Sequence, residues 1–336
     1  MSDTIRADVV VVGGGAAGLA AAVALARSRR SVVVIDAGQP RNAAAAEAHN
    51  ILGQEGVAPT ELLARGRTEA TAYGARIVSG VATGASGAVD EFVIEVDDGR
   101  MHVSARRVIL ATGLVDDLPD VPGVEAAWGR TVLHCPFCHG WEVRDQRIAV
   151  LGRNENAIHQ VILFRQLSDD VTLFLHEAPE PSDEQWEQLA ALNVRVVTPR
   201  VERLLVDGTS VRAVAIEGGK TFEMDAVVVA PVFLARTELF EALGGVPLAT
   251  PFGQQITIDL RGQTAVPGVW AAGNVSDLSA MVVASATAGL MAGAAIHGDL
   301  AMTDLALTVK ERREPFSAAR EAENCERILG DRRHGL

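Results

Sequence analysis

Residues 13–18, Gly-Gly-Gly-Ala-Ala-Gly, follow a β-branched run at 7–12 and open a stretch of strong helix formers at 19–27. A strand, a glycine loop and a helix in that order admit few folds. The first glycine, Gly13, permits a tight turn, Gly15 lets backbone approach a pyrophosphate, and Gly18 allows the helix to lie close against the strand. Ala16 and Ala17 complete the loop at the helix N-terminus, where phosphates bind. The next strand, expected at 31–35, closes with Asp36, about twenty residues past the loop, where a carboxylate accepts the hydrogens of a ribose diol. A glycine-rich structural turn followed by a chance aspartate is the alternative.

Beyond Asp36 the chain reads Ala37-Gly-Gln-Pro40-Arg41-Asn42, and Pro40 forces a loop. Arg41 is placed to reach a phosphate or ribose, although a loop arginine is often only solvated. Ala37, Asn42, His49 and Asn50 join it as candidate cofactor contacts. An amphipathic helix is expected at 60–72, alternating strands at 76–96, and a strand at 103–110 that ends in Ala111-Thr112-Gly113. The proline-rich crossing 119–123 then reads as a linker.

Residues 133–142, Leu-His-Cys-Pro-Phe-Cys-His-Gly-Trp-Glu, hold two of the three cysteines and two of the eight histidines. Cys135 and Cys138 are spaced to close a small disulfide and exchange two electrons, or to form half of a metal site. A structural zinc site needs a second, distant ligand pair, and the remaining cysteine, Cys325, lies in the tail. Redox is the favoured reading, with no metal.

The chain has 336 residues, enough for two ordinary domains, and a net charge of −13 that repels nucleic acid and anionic membranes. So few cysteines fit a reducing, cytoplasmic location, and the N-terminus lacks the pattern of a secretion signal. The apolar runs at 9–26 and 281–296 are rich in Gly and Ala and read as buried elements.

The glycine loop with Asp36, the Ala-Thr-Gly before a Pro-x-x-Pro-Gly linker, and the Cys-x-x-Cys resemble the low-molecular-weight thioredoxin reductase family of flavoproteins. The resemblance reaches to about Gly298. Residues 264–274, Thr-Ala-Val-Pro-Gly-Val-Trp-Ala-Ala-Gly-Asn, are similar to that family's second flavin motif, with Gly273 in place and Asn274 replacing the carboxylate that holds the ribityl chain. An amide still hydrogen-bonds a hydroxyl. The helix from Met281 corresponds to the one whose N-terminus faces the flavin, with Val282 and Val283 as a dry wall. The resemblance implies an α/β fold of two Rossmann-like three-layer domains with FAD as cofactor. The boundaries expected are 1–117 and 247–304 for the split FAD domain, 118–246 for an inserted NAD(P)-binding-like domain carrying the cysteines, and 305–336 for a helical tail.

Within the inserted domain, a strand at 146–151 and a helix at 157–167 flank Gly152-Arg153-Asn154-Glu155-Asn156. Asn154 stands where a fingerprint glycine belongs, and Glu155 adds negative charge. The following strand, 171–175, ends in His176-Glu177-Ala178-Pro179-Glu180, which is net acidic where a 2′-phosphate site needs cations. The dinucleotide site is therefore expected to be degraded; an NADH or variant NADPH mode is the alternative. In the tail, Ala318, Ala322, Cys325 and Leu329 recur at helical spacing before Gly330, which suggests an amphipathic helix packed on its own subunit or a dimer mate, with Cys325 in its core.

Cys-Pro-Phe-Cys-His itself resembles the flavin-dependent dithiol oxidases that close disulfides in gliotoxin- and holomycin-type natural products. That resemblance implies that Cys135 is the interchange thiol, that Cys138 faces the flavin, and that His139 is the base that deprotonates the substrate thiol. The partners implied are a small-molecule dithiol and O2 as acceptor, giving H2O2, in a homodimer without nucleic acid or membrane. His134 reads as a packed histidine. Phe137, Trp141 and Glu142 are open between substrate contact and packing. The other functions left open are an NAD(P)H-dependent reductase of a thioredoxin-like protein and a redox-sensing or structural flavoprotein with zinc at the cysteine pair and no turnover.

Overall fold

The structure, a computed structural model, describes residues 3–313 and 317–329. Strand Asp3–Val12 is central to a seven-stranded sheet, paired in parallel with Val32–Asp36 on one side and Met101–Leu110 on the other. Arg76–Ser79 extends the sheet beyond Val32–Asp36, while Phe92–Val96, Ala82–Ser86 and Val269–Ala271 lie beyond Met101–Leu110. Val9 and Val11 enter the core beneath helix Ala16–Arg27, whereas Val10 and Val12 enter the core on the opposite face. This alternation explains the unbroken valine run, because both faces of a parallel sheet are covered. Each such valine contributes about 1.5–3 kcal/mol on burial.

The second lobe repeats the plan with five parallel strands, in the order Arg195–Val197, Val171–Phe174, Ile148–Leu151, Ala226–Val228 and Val132–Leu133. Ile148 and Val150 pack under helices Asn156–Phe164 and Asp183–Ala191. Ala149 and Leu151 face the core on the other side, which is shared with the antiparallel strands Val201–Asp207 and Ser210–Ile216. The molecule is thus the expected pair of three-layer α/β lobes.

Strand Leu114–Asp117 pairs antiparallel with Val232–Ala235, so the two crossings between lobes run side by side. Ala235, Leu239 and Phe240 share the first lobe's core with Val10 and Val108. The return to that lobe therefore falls near residue 230, earlier than the boundary at 246 read from the sequence. The helix expected at 281–296 runs as Val282–Arg313, through the boundary expected at 304. It crosses helix Ala16–Arg27 closely: a side chain at Gly289 would sit 1.9 Å from the Ala17 carbonyl oxygen. Helix Ala318–Leu329 forms as expected, but none of its residues is buried and Cys325 is exposed, so of the two placements expected the one on its own subunit is corrected. Gly330 lies outside the described residues. Among the described residues no helix is long and apolar enough to cross a membrane.

Candidate active site

A cleft of about 1320 Å³ runs from the glycine loop to the cysteine pair. In the glycine loop Gly13 adopts φ +110°, and a side chain there would strike the Ala111 carbonyl oxygen at 2.1 Å, so the turn admits glycine alone. A Cβ on Gly15 would meet nothing within 4 Å, which leaves its backbone open to the cleft. Gly18 does not line the cleft; a Cβ there would collide with the Gly13 oxygen at 1.9 Å, and its role is helix-to-strand packing. The Asp36 carboxylate accepts from Gly14 N at 3.3 Å and Gly38 N at 3.1 Å, and is paired with Arg67 at 2.5 Å. Arg67 comes from helix Pro59–Ala72 and had no signal in the sequence beyond its place on that helix.

Ala16, Ala17, Ala37, Arg41, Asn42, His49, Ala111, Thr112, Gly113, Gly273, Asn274 and Val282 also line the cleft. Arg41 is fixed rather than solvated, being paired with Asp116 and donating to Asn274 Oδ1 at 3.3 Å. The Asn274 amide is turned inward, where Nδ2 donates to the carbonyl oxygens of Asp277 at 3.1 Å and Ala280 at 2.9 Å. It braces the loop before the long helix, which reduces what it can offer a ribityl hydroxyl. Val283 and Asn50 are not among the lining residues: Val283 is 46% exposed, and Asn50 donates from Nδ2 to the Phe137 carbonyl oxygen at 2.6 Å.

Strand Val132–Leu133 delivers His134 and then Cys135, which precedes the helical turn Pro136–His139. Pro136 suits the first position of that turn, since no partner is needed for its missing N–H. Cys135 and Cys138 form a disulfide with Cα atoms 5.3 Å apart, the redox arrangement of the two left open above. Among the described residues no group of three or more His, Cys, Asp or Glu is placed to hold a metal ion. Phe137 and Trp141 project into solvent, with Arg144 stacked on the Trp141 ring at 4.1 Å.

The two flanking histidines differ in surroundings. His134 is packed between Trp128 and Phe233, with ring centroids 5.8 Å away in both cases. Burial, reinforced by the Arg41 guanidinium, pushes it down to about 4, so it is neutral at pH 7. His139 is lowered chiefly by burial, with Glu142 pulling the other way and His49 adding repulsion. A neutral imidazole beside the disulfide is the form a base requires.

The second glycine loop gives only a small cavity of about 340 Å³, which Asn154, Glu155 and Glu180 line without a lysine or arginine. Asn154 Oδ1 accepts from Asn156 N at 3.0 Å, and Arg153 turns away to Asp117 at 2.9 Å.

Residues 7–293 match the family model described as pyridine nucleotide-disulphide oxidoreductase. The chain is a member of that family. It is 32% identical to thioredoxin reductase tcpT of Claviceps purpurea (strain 20.1), over 89% of this chain and 97% of the relative. Thioredoxin reductase sirT of Leptosphaeria maculans is 31% identical over 90% of this chain and 97% of its own length. The crystal structure of HlmI superposes with a TM-score of 0.86 at 42% identity, covering 91% of this chain and 96% of that one. This pyridine nucleotide-disulphide oxidoreductase is thus a thioredoxin reductase-like flavoprotein that acts on sulfur groups. Its cofactor is FAD, and the open Gly15 backbone and the long cleft fit that group. Gly13–Gly15, Asp36 and Gly273 are the residues that would hold it.

Arg67, Asp116, Glu55 and Glu47 surround the cleft or the dithiol turn and went unnoticed in the sequence. Each is an ordinary surface charge by composition, placed by the tertiary fold.

Proposed function

We propose that the protein is an FAD-dependent oxidase that closes a disulfide in a small-molecule dithiol. The observation that carries this reading is the contrast between two sites in one chain. The cysteine disulfide and a neutral His139 share the cleft with the flavin loop, while the second nucleotide site is small, acidic and lined by no cation. The resemblance of Cys-Pro-Phe-Cys-His to the gliotoxin- and holomycin-type oxidases supports it.

The chemistry begins when His139 takes the proton of one substrate thiol. The thiolate attacks Cys135 Sγ, the Cys135–Cys138 bond breaks, and Cys138 leaves as a thiolate. The second substrate thiol then loses its proton and attacks the substrate sulfur held on Cys135, which releases the cyclic disulfide and the Cys135 thiolate. Two electrons now reside on the cysteine pair and two protons have left the substrate. FAD, when bound, supplies the two-electron acceptor for that pair and a route to oxygen. The sum is dithiol plus O2 giving disulfide plus H2O2. Exposed apolar residues in the cleft, Phe137, Phe252 and Met281, suit an apolar or heteroaromatic dithiol. We place the enzyme in the cytoplasm on its scarce cysteines, and as a homodimer on the exposed Met302, Leu305 and Leu307 of the long helix.

The purified protein is expected to be yellow, to consume oxygen and form peroxide with dithiothreitol, and to resist reduction by NADPH. Bleaching of the flavin by NADPH alone would establish the nucleotide-dependent disulfide reductase instead. A Cys138→Ser variant that retained full dithiol oxidation would rule out the role given to that thiol.

A further inference from the structure

Dithiol oxidation sheds two protons, and His139 holds one at a time. The fold places a second imidazole where it can drain the first. His49 sits on a loop whose side chain is nevertheless only 13% exposed. The loop is closed by an antiparallel bridge between Ala48 and Val57, with Ala48 N donating to Val57 O at 2.9 Å. Asn50 adopts φ +60°, a conformation asparagine tolerates, and its Nδ2 fastens the loop to the Phe137 carbonyl oxygen. The His49 ring thereby stands perpendicular to that of His139, with centroids 6.0 Å apart.

The tautomer of His49 follows from Glu55. The hydrogen bond from His49 holds the Glu55 carboxyl below the usual carboxylate range, so it is ionised at neutral pH and accepts only. The His49 nitrogen 2.8 Å away, Nδ1, must therefore carry the hydrogen. That leaves a lone pair on Nε2, which is buried and has no hydrogen-bond partner. Its nearest charged atom is Glu142 Oε1 at 3.5 Å, on the turn that follows His139, with Glu47 Oε2 at 3.8 Å. The vacant acceptor lies beside Glu142, on the turn that follows His139, and the loaded donor lies toward solvent, since the Glu55 side chain is 66% exposed.

We infer that His49 and Glu55 form the outlet for protons that His139 removes from substrate thiols. The proton passes from His139 to His49 Nε2, directly or over Glu142, while the hydrogen on Nδ1 leaves through Glu55 to water. No electron moves in this step, and His49 returns to its starting charge. Glu142, Glu47, Arg130 and His49 are the charged and titratable groups that act on His139, and Glu55, Glu47 and Glu142 are those against His49. His49 is a positioning residue, acting through His139, and the inference rests on the oxidase reading above.

The test uses the holoenzyme with dithiothreitol under anaerobic conditions, following proton release with an indicator dye, together with the NMR titration of His139 in the oxidised protein. In His49→Ala, release is expected to slow about tenfold or more and to recover when imidazole is added to the buffer. Glu55→Gln should show the same loss and Glu55→Asp should retain the rate. The His139 titration in His49→Ala should move to higher pH, because the lowering that His49 exerts on His139 is gone. Release at the wild-type rate in His49→Ala, or a loss that imidazole leaves untouched, overturns the outlet. Wild-type protein that fails to exchange with dithiothreitol refutes the oxidase reading itself, and with it the outlet, before any variant is compared.

Discussion

The Arg41 guanidinium grips Asp116 with two parallel bonds, Nε to Oδ2 at 2.8 Å and Nη2 to Oδ1 at 2.6 Å. The pair joins the loop after Asp36 to the strand that leads into the second lobe, and Arg41 also lies over the Phe233 ring at 5.1 Å.

Asp116 is only 7% exposed, so removing Arg41 strands a carboxylate in the cleft wall. Arg41→Ala is expected to lower stability by about 3–5 kcal/mol and to reduce flavin content. Arg41→Lys should recover only part of this, because an ammonium cannot make the paired bonds. Asp116→Asn combined with Arg41→Ala should be milder than Arg41→Ala alone. Chemical denaturation of the four proteins reads the coupling, and equal stabilities across the set would contradict it.

His134 makes stability depend on pH in a defined window. Its folded value of about 4 lies below the 6.5 of an unperturbed histidine. Between those values the unfolded chain binds the proton and the folded chain does not. The stabilisation is therefore complete above pH 6.5 and is lost as pH falls towards 4, amounting to about 3 kcal/mol. Replacement by Phe, which preserves the ring packed against Trp128 and Phe233, should flatten the pH dependence of the unfolding midpoint across that window. A slope identical to that of the native chain would exclude His134 as its source.

The long helix is held to the sheet by a buried charge. Arg107 is 3% exposed and bonds Asp299 at 2.5 Å, Asp90 at 2.8 Å and Thr303 at 3.2 Å. Against the penalty of partial burial, Arg107 and Arg106 hold Asp90 below the usual carboxylate range. Asp299→Ala should cost more than the exposed-pair variant Asp207→Ala, by about 2–4 kcal/mol, since only the former leaves a buried guanidinium short of a partner. Thermal unfolding of the two variants decides it.

What the sequence made legible was local. The glycine loop, the strand before it, the helix after it and the cysteine turn each declare themselves within about twenty residues, because the geometry they require is short-range. The early return to the first lobe was hidden because it depends on Val232–Ala235 pairing with a strand more than a hundred residues earlier. The extension of the long helix past Ile296 was hidden too: Asp299 and Asp304 look like solvated tail charges until Arg107, Arg106 and Arg30 arrive from the sheet side. Arg67 beside Asp36, and Glu55 beside His49, are of the same kind. An isolated charge carries no record of its partner. The inward turn of Asn274 likewise depends on carbonyl groups that the loop presents only once it is folded.

The exposed apolar lining formed by Phe137, Phe252 and Met281 sets a limit on discrimination. A wall of this kind separates ligands by size and greasiness, at about 1–3 kcal/mol per methylene, and it barely notices where a ligand carries its hydrogen-bonding groups. On the dithiol-oxidase reading proposed above, such an enzyme would sort its clientele loosely at the door and leave the stricter requirement, two thiols close enough to join, to the sulfur chemistry inside.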